Sequence, residues 1–90
     1  MGTVLIKVKL MPSSPEANLE EIKEKAKAVV EEAKGEKVRF EEEPIAFGLK
    51  ALIAFFALDE SHDVEPIENK LKELENINSA EIIDVRRAFG

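Results

Sequence analysis

Two short clusters stand out chemically in this 90-residue chain: Phe47-Gly48, just after Pro44, and Arg86-Arg87, close to the carboxy terminus. A large apolar ring at the rim of a sheet is hard to bury, and an aromatic placed there can anchor in a partner's pocket. The structural alternative is a ring that closes one end of the core, where most Phe residues lie. Gly48 bears on that choice, because a glycine within a strand marks a bulge or a close backbone approach. Arg86-Arg87 is the only adjacent arginine pair in an acidic chain. One guanidinium can enter a partner's anionic site; the alternative is that both neutralise the chain terminus or nearby Glu, a common arrangement that contributes little.

Other chemistries lack their residues. There are 13 Lys plus Arg against 19 Asp plus Glu, a formal net charge of −6. That balance repels a polyanion and removes the counterion release that drives nucleic-acid binding, so no direct nucleic-acid partner is expected. With no Cys and a single His, His62, neither a thiolate nucleophile nor the usual zinc ligand sets can form. No catalytic carboxylate pair, nucleophile with a base, Walker loop or dinucleotide fingerprint is present, so neither an enzyme nor a cofactor is expected. Gly35 and Gly48 are isolated and make no phosphate cradle, which needs several consecutive freed amides. Glu41, Glu42 and Glu43 read as a soluble hairpin flank that blocks edge pairing, and His62 as a turn residue beside a helix cap.

The elements that position these residues follow from periodicity. Val4, Ile6, Val8 and Leu10 share one parity and Lys7 and Lys9 the other, which predicts a strand over 3–11 with one buried face. Pro12-Ser13-Ser14-Pro15 breaks it. Asn18 with Glu21 reads as an N-cap and capping box, with Ser14 a competing start. Leu19, Ile22, Ala26, Val29, Val30 and Ala33 then recur at helical spacing, and Gly35 stands where a left-handed C-terminal cap is wanted. Residues 37–43 alternate and then turn acidic before Pro44, predicting an edge strand. Residues 45–58 are apolar on both parities and read as a long central strand, a buried helix of the same length being the alternative. Val64, Ile67, Leu71 and Leu74 form a second helical stripe, with Asp63 as cap and Pro66 in the first turn. Residues 80–89 complete a fourth strand.

The order βαββαβ is the split βαβ, ferredoxin-like arrangement: an α+β sandwich with sheet order 4-1-3-2 and two helices on one face. In that topology the start of the third strand and the end of the fourth lie at opposite poles, so Phe47 and Arg87 are separated by roughly 25 to 35 Å. The chain is one small domain, residues 1–90, with room for one core. It carries no apolar run of signal-peptide or membrane-spanning length, which fits a cytoplasmic protein. Gln is absent and Glu and Lys dominate, a bias associated with heat-loving organisms.

The stretch Pro44-Ile45-Ala46-Phe47-Gly48-Leu49-Lys50 resembles the archaeal elongation factor 1-beta family and the carboxy-terminal catalytic domain of its eukaryotic counterpart. Met11-Pro12 and Ser14-Pro15 after the opening strand, and the closing Ile83-Asp84-Val85-Arg86-Arg87, extend the resemblance over essentially the whole chain. It implies a guanine nucleotide exchange domain acting on elongation factor 1-alpha, the GTPase that delivers aminoacyl-tRNA. By resemblance one pole disturbs the GTPase's magnesium and phosphate site while the other touches its second domain. Phe47 with Gly48 would take the second contact; Arg87, with Arg86 beside it, matches a carboxy-terminal lysine that enters the magnesium site. Arginine keeps the charge but is a longer planar fork.

A reading from a different class is a regulatory or small-ligand-binding ferredoxin-like module that oligomerises through its open sheet face. The two-parity apolar content of 45–58 favours it, because a covered or self-associating second face would explain it.

Overall fold

A computed structural model describes residues 2–88. The elements are β1 (Thr3–Pro12), α1 (Leu19–Glu32), β2 (Glu36–Pro44), β3 (Lys50–Asp59), α2 (Glu65–Lys72) and β4 (Ile77–Ala88), with a tight turn at Ala46–Gly48. One four-stranded sheet runs β2-β3-β1-β4, and every neighbouring pair is antiparallel. This is the expected strand order, read from the other edge. The ferredoxin-like α+β reading holds.

Alternation in β1 explains the core. Ile6, Val8 and Leu10 are buried on the helix side, packed with Ile22, Ala26 and Val30 of α1 and Ile67 and Leu71 of α2. Leu52, Ala54, Phe56 and Leu58 of β3 complete the same layer. Because β3 is central, its opposite parity is also shielded: Ala51, Ile53 and Ala57 are buried too. No second layer of helix is needed to account for the two-sided apolar pattern. Phe55, on that second face, lies opposite Arg39 on one side and Lys7 on the other. Their charged ends sit 5.5 and 5.3 Å from the centre of its ring, a cation–π arrangement that places polar groups over the apolar strand.

The ends of α1 carry their own hydrogen-bond logic. The Asn18 side chain accepts from the backbone N–H groups of Glu20 and Glu21 at 3.1 and 3.3 Å, satisfying donors that a helix start leaves free. The other half of the expected capping box is absent, because the Glu21 carboxylate pairs with Lys25 at 3.1 Å instead. At the far end the left-handed residue is Lys34, with φ 73°, and not Gly35. Lys34 N–H donates to the Glu31 carbonyl and Gly35 N–H to the Val30 carbonyl at 3.0 and 2.8 Å, the two bonds of a Schellman closure. Gly35 is required for a different reason: a Cβ there would stand 2.2 Å from Val30 Cγ1.

Three further boundaries differ from the sequence reading. The apolar run 45–58 is not a single strand; β3 begins at Lys50, and 45–49 form the hairpin loop. Asp63 does not cap α2, whose N-cap position is Val64 with no side-chain cap bond. Pro66 in the first turn, which has no N–H to satisfy, reduces the need for one. β4 begins at Ile77, before Ala80, because Ile77 pairs with Pro12 across a bulge. Phe89, at the predicted end of that strand, lies outside the described residues.

Candidate functional site

The antiparallel register fixes two poles. Pro44 pairs with Lys50 at the mouth of the β2–β3 hairpin, while Val4 pairs with both Leu58 and Arg87. The span of β3 from Lys50 to Leu58, at about 3.4 Å per residue, separates these ends by about 27 Å. The molecule's longest dimension is 42 Å.

At the first pole the hairpin closes through Ile45 N–H to the Leu49 carbonyl at 2.7 Å and Leu49 N–H to the Ala46 carbonyl at 3.3 Å. Between them Phe47 has φ 63° and Gly48 φ 77°. Positive φ at both central positions is the signature of the tight turn whose twist suits a hairpin, in which Asn or Asp usually precedes Gly. Phe47 occupies the Asn position. A bulky residue held left-handed costs about 1–2 kcal/mol, and here no burial offsets it, since Phe47 is 94% exposed. The ring does not close the end of the core. Both the backbone strain and the solvated aromatic are unfavourable in the isolated molecule. A shallow groove beside the turn is lined by Pro12, Ser14, Pro15, Leu19, Gly48 and Lys50.

At the second pole Arg87 and Arg86 leave β4 exposed, and each meets a carboxylate. Arg87 donates through Nη2 to Glu60 Oε2 at 2.6 Å, and Arg86 through Nε to Asp84 Oδ2 at 2.9 Å. These are the surface pairs weighed above as the alternative for the two arginines; Arg87 keeps two thirds of its side-chain surface (67%) in solvent. The loop that offers Glu60 is organised by its neighbour. Asp59 Oδ1 accepts from the backbone N–H of Ser61 at 2.9 Å and from its hydroxyl at 2.7 Å. Those bonds, the backbone one first, hold the Asp59 carboxyl below its ordinary value because they favour the charged form. Glu60 N–H donates to the Gly2 carbonyl at 3.0 Å. Gly2 leaves the room this requires, since a Cβ there would meet Glu60 Oε2 at 2.8 Å.

Phe47 and Gly48 are thus brought together at one end and Arg86 and Arg87 at the other. Glu60, in the connection between β3 and α2, is not among the residues that the sequence singles out. Asp59-Glu60-Ser61 carries the Asx-turn signal, but the Arg87 pairing joins distant parts of the chain and becomes visible only once β1 has set the register between β3 and β4.

The fold is thus a four-stranded sheet with two helices, carrying a solvated aromatic turn at one end and two exposed arginines at the other. Residues 5–88 match the family model described as the EF-1 guanine nucleotide exchange domain. The chain is 43% identical over 89 residues to elongation factor 1-beta of Methanocaldococcus jannaschii, covering 98% of this chain and all of that protein. Elongation factor 1-beta of Pyrococcus abyssi is 47% identical over 83 residues, covering 89% of each. That of Methanosarcina barkeri is 40% identical over 88 residues, covering 97% of this chain and 99% of that protein. The chain belongs to the elongation factor 1-beta family of translation factors.

Proposed function

We propose that this protein promotes GDP/GTP exchange on elongation factor 1-alpha, using Phe47 with Gly48 and Arg87 with Arg86 as two contacts at opposite ends of a rigid sheet. The observation that carries the reading is the Phe47 turn, strained and 94% exposed, on a chain whose family is one of exchange domains. The exposed cation at the far pole supplies the second contact.

No covalent step is required. A guanidinium and the strand end behind it, placed beside the GTPase's phosphates, compete with magnesium for the same negative charge, and GDP then loses the ion that ties it to the protein. Arg87 must exchange its Glu60 partner for the GTPase's anions to do so, which is inexpensive because exposed ion pairs contribute little. The anchor at Phe47 supplies binding free energy that does not depend on the nucleotide site. The competition at the magnesium site is what makes the factor favour the nucleotide-free GTPase, and by linkage bound GDP weakens the factor's binding to the same extent. Exchange has no direction of its own; loading with GTP follows the nucleotide concentrations in the cytoplasm, where this reading puts the protein. Among the described residues no helix is long and apolar enough to cross a membrane.

A module that self-associates through its open sheet face would need a continuous apolar surface there. Lys7 and Arg39, charged over Phe55, interrupt it.

The test is release of a fluorescent GDP from an archaeal elongation factor 1-alpha, chased with unlabelled GDP at fixed magnesium, as the protein is titrated in. Faster, saturable release is expected. No acceleration of a GTPase that binds nucleotide normally overturns the proposal.

A further inference from the structure

We propose that the half of the open sheet face nearest the Arg87 pole docks a short acidic protein segment that carries one large apolar side chain among its carboxylates. The inference does not depend on the exchange reading. A cavity of about 220 Å³ opens on this face. Leu5, Phe55 and Ala57 give it an apolar floor, and Lys7, Lys37 and Arg86 rim it. The one carboxylate in the lining, Asp84, is already engaged by Arg86 at 2.9 Å.

Positive charge gathers at the rim. With 19 acidic residues against 13 basic ones, a Lys or Arg on this surface has ample opportunity to find a carboxylate. Lys23, Lys25, Lys50, Lys70, Lys72, Arg86 and Arg87 all do. Lys7 and Lys37, and Arg39 beside them on the Phe55 ring, pair with none among the described residues; neither do Lys9, Lys27 and Lys34, which do not line the cavity, so three of the six unpaired cations gather around it. Unpaired cations around an apolar cavity complement a ligand that is apolar in the middle and anionic at its edges.

The backbone frames the same place. Lys37 is held at φ 56° in an irregularity of β2, where the register shifts between Glu36 and Arg39. Across the sheet, β4 bulges at Ile83, between the partners of Lys7 and Val8. Bulges re-aim side chains and are common beside binding sites, and a left-handed lysine is backbone strain of the kind that binding sites retain. The occupant is a short protein segment and not a nucleic acid, because the net charge of −6 repels a long polyanion while a few carboxylates feel mainly the local cations.

The experiment is a backbone-amide NMR titration of the intact protein with a short peptide alternating glutamate and aspartate around one central phenylalanine. Saturable shifts are expected at Leu5, Lys7, Lys37, Phe55 and Ala57, with the helix amides unmoved. Arg39→Glu, on an exposed site that leaves the fold intact, should weaken the peptide at least about fivefold, and Lys7→Glu should do the same. Replacing the peptide's phenylalanine by alanine should abolish the shifts at the cavity floor. Absence of saturable shifts at millimolar peptide, unaltered affinity in both variants, or equal response to oligouridylate would overturn the assignment.

Discussion

Replacing Phe47 separates folding from function at one position, because the ring contributes almost nothing to the isolated molecule. It is 94% exposed, so Phe47→Ala removes little burial, and alanine meets the same left-handed cost; stability should stay within about 0.5 kcal/mol. Phe47→Gly removes a strain of about 1–2 kcal/mol and adds about 0.5–1 kcal/mol of unfolded-state entropy. Its net effect should lie between neutral and a gain of about 1.5 kcal/mol. Burying the ring in a partner's pocket is worth about 1.5–3 kcal/mol. At 1.4 kcal/mol per tenfold, both variants should raise the concentration for half-maximal GDP release about 10- to 150-fold. Urea unfolding and the fluorescent GDP assay read the two quantities separately. A loss of more than about 1 kcal/mol in Phe47→Ala would mean that the ring packs at home. Unchanged exchange in both variants would mean that it anchors nothing.

Glu60→Gln frees Arg87 from an exposed pair worth about 0.2–1 kcal/mol, so the half-saturating concentration should fall by up to about fivefold at low salt. The same change in an Arg87→Ala background should have no effect, and an equal effect in both would exclude a link through Arg87. Lys34→Gly relieves the left-handed position in the α1 closure and should raise stability by about 0.5–1 kcal/mol in urea unfolding; destabilisation would refute that account. The depressed Asp59 carboxyl stabilises the fold fully above the ordinary aspartate value, and that contribution is lost as pH falls through the lower folded value. Asp59→Asn should therefore show a smaller loss of urea resistance between pH 7 and strongly acidic pH than the parent, and an unchanged acid dependence would rule this group out.

The strand order, the core face of β1 and both helical stripes were legible because each rests on a period: two for strands, near 3.6 for helices. What escaped was conformational or long-range. The run 45–58 contains no Asn, Asp or Pro to mark a turn, and Gly48 alone did not outweigh its apolar character. The turn is imposed by pairing, once Pro44 meets Lys50, and Phe47 accepts a backbone it would not choose. Lys34 likewise takes the left-handed site that composition assigns to Gly35, because Gly35 is needed one residue later, where Val30 leaves no room for a Cβ. The two pairs that hold site residues were readable as residue types but not as contacts. The Glu60 partner of Arg87 required the tertiary register, and only the exposure of Phe47 takes it out of the core.

The central strand that separates the poles has a mechanical meaning. β3 is hydrogen-bonded on both sides and cannot shorten or lengthen without breaking its ladder, so the distance between hairpin tip and strand exit is a fixed gauge. On the proposed reading, a partner engaging both ends must bring its own two surfaces to that spacing. A GTPase whose domains stand at another separation can hold one jaw of this caliper but not both, and the factor then measures the partner's shape as well as the state of its nucleotide site.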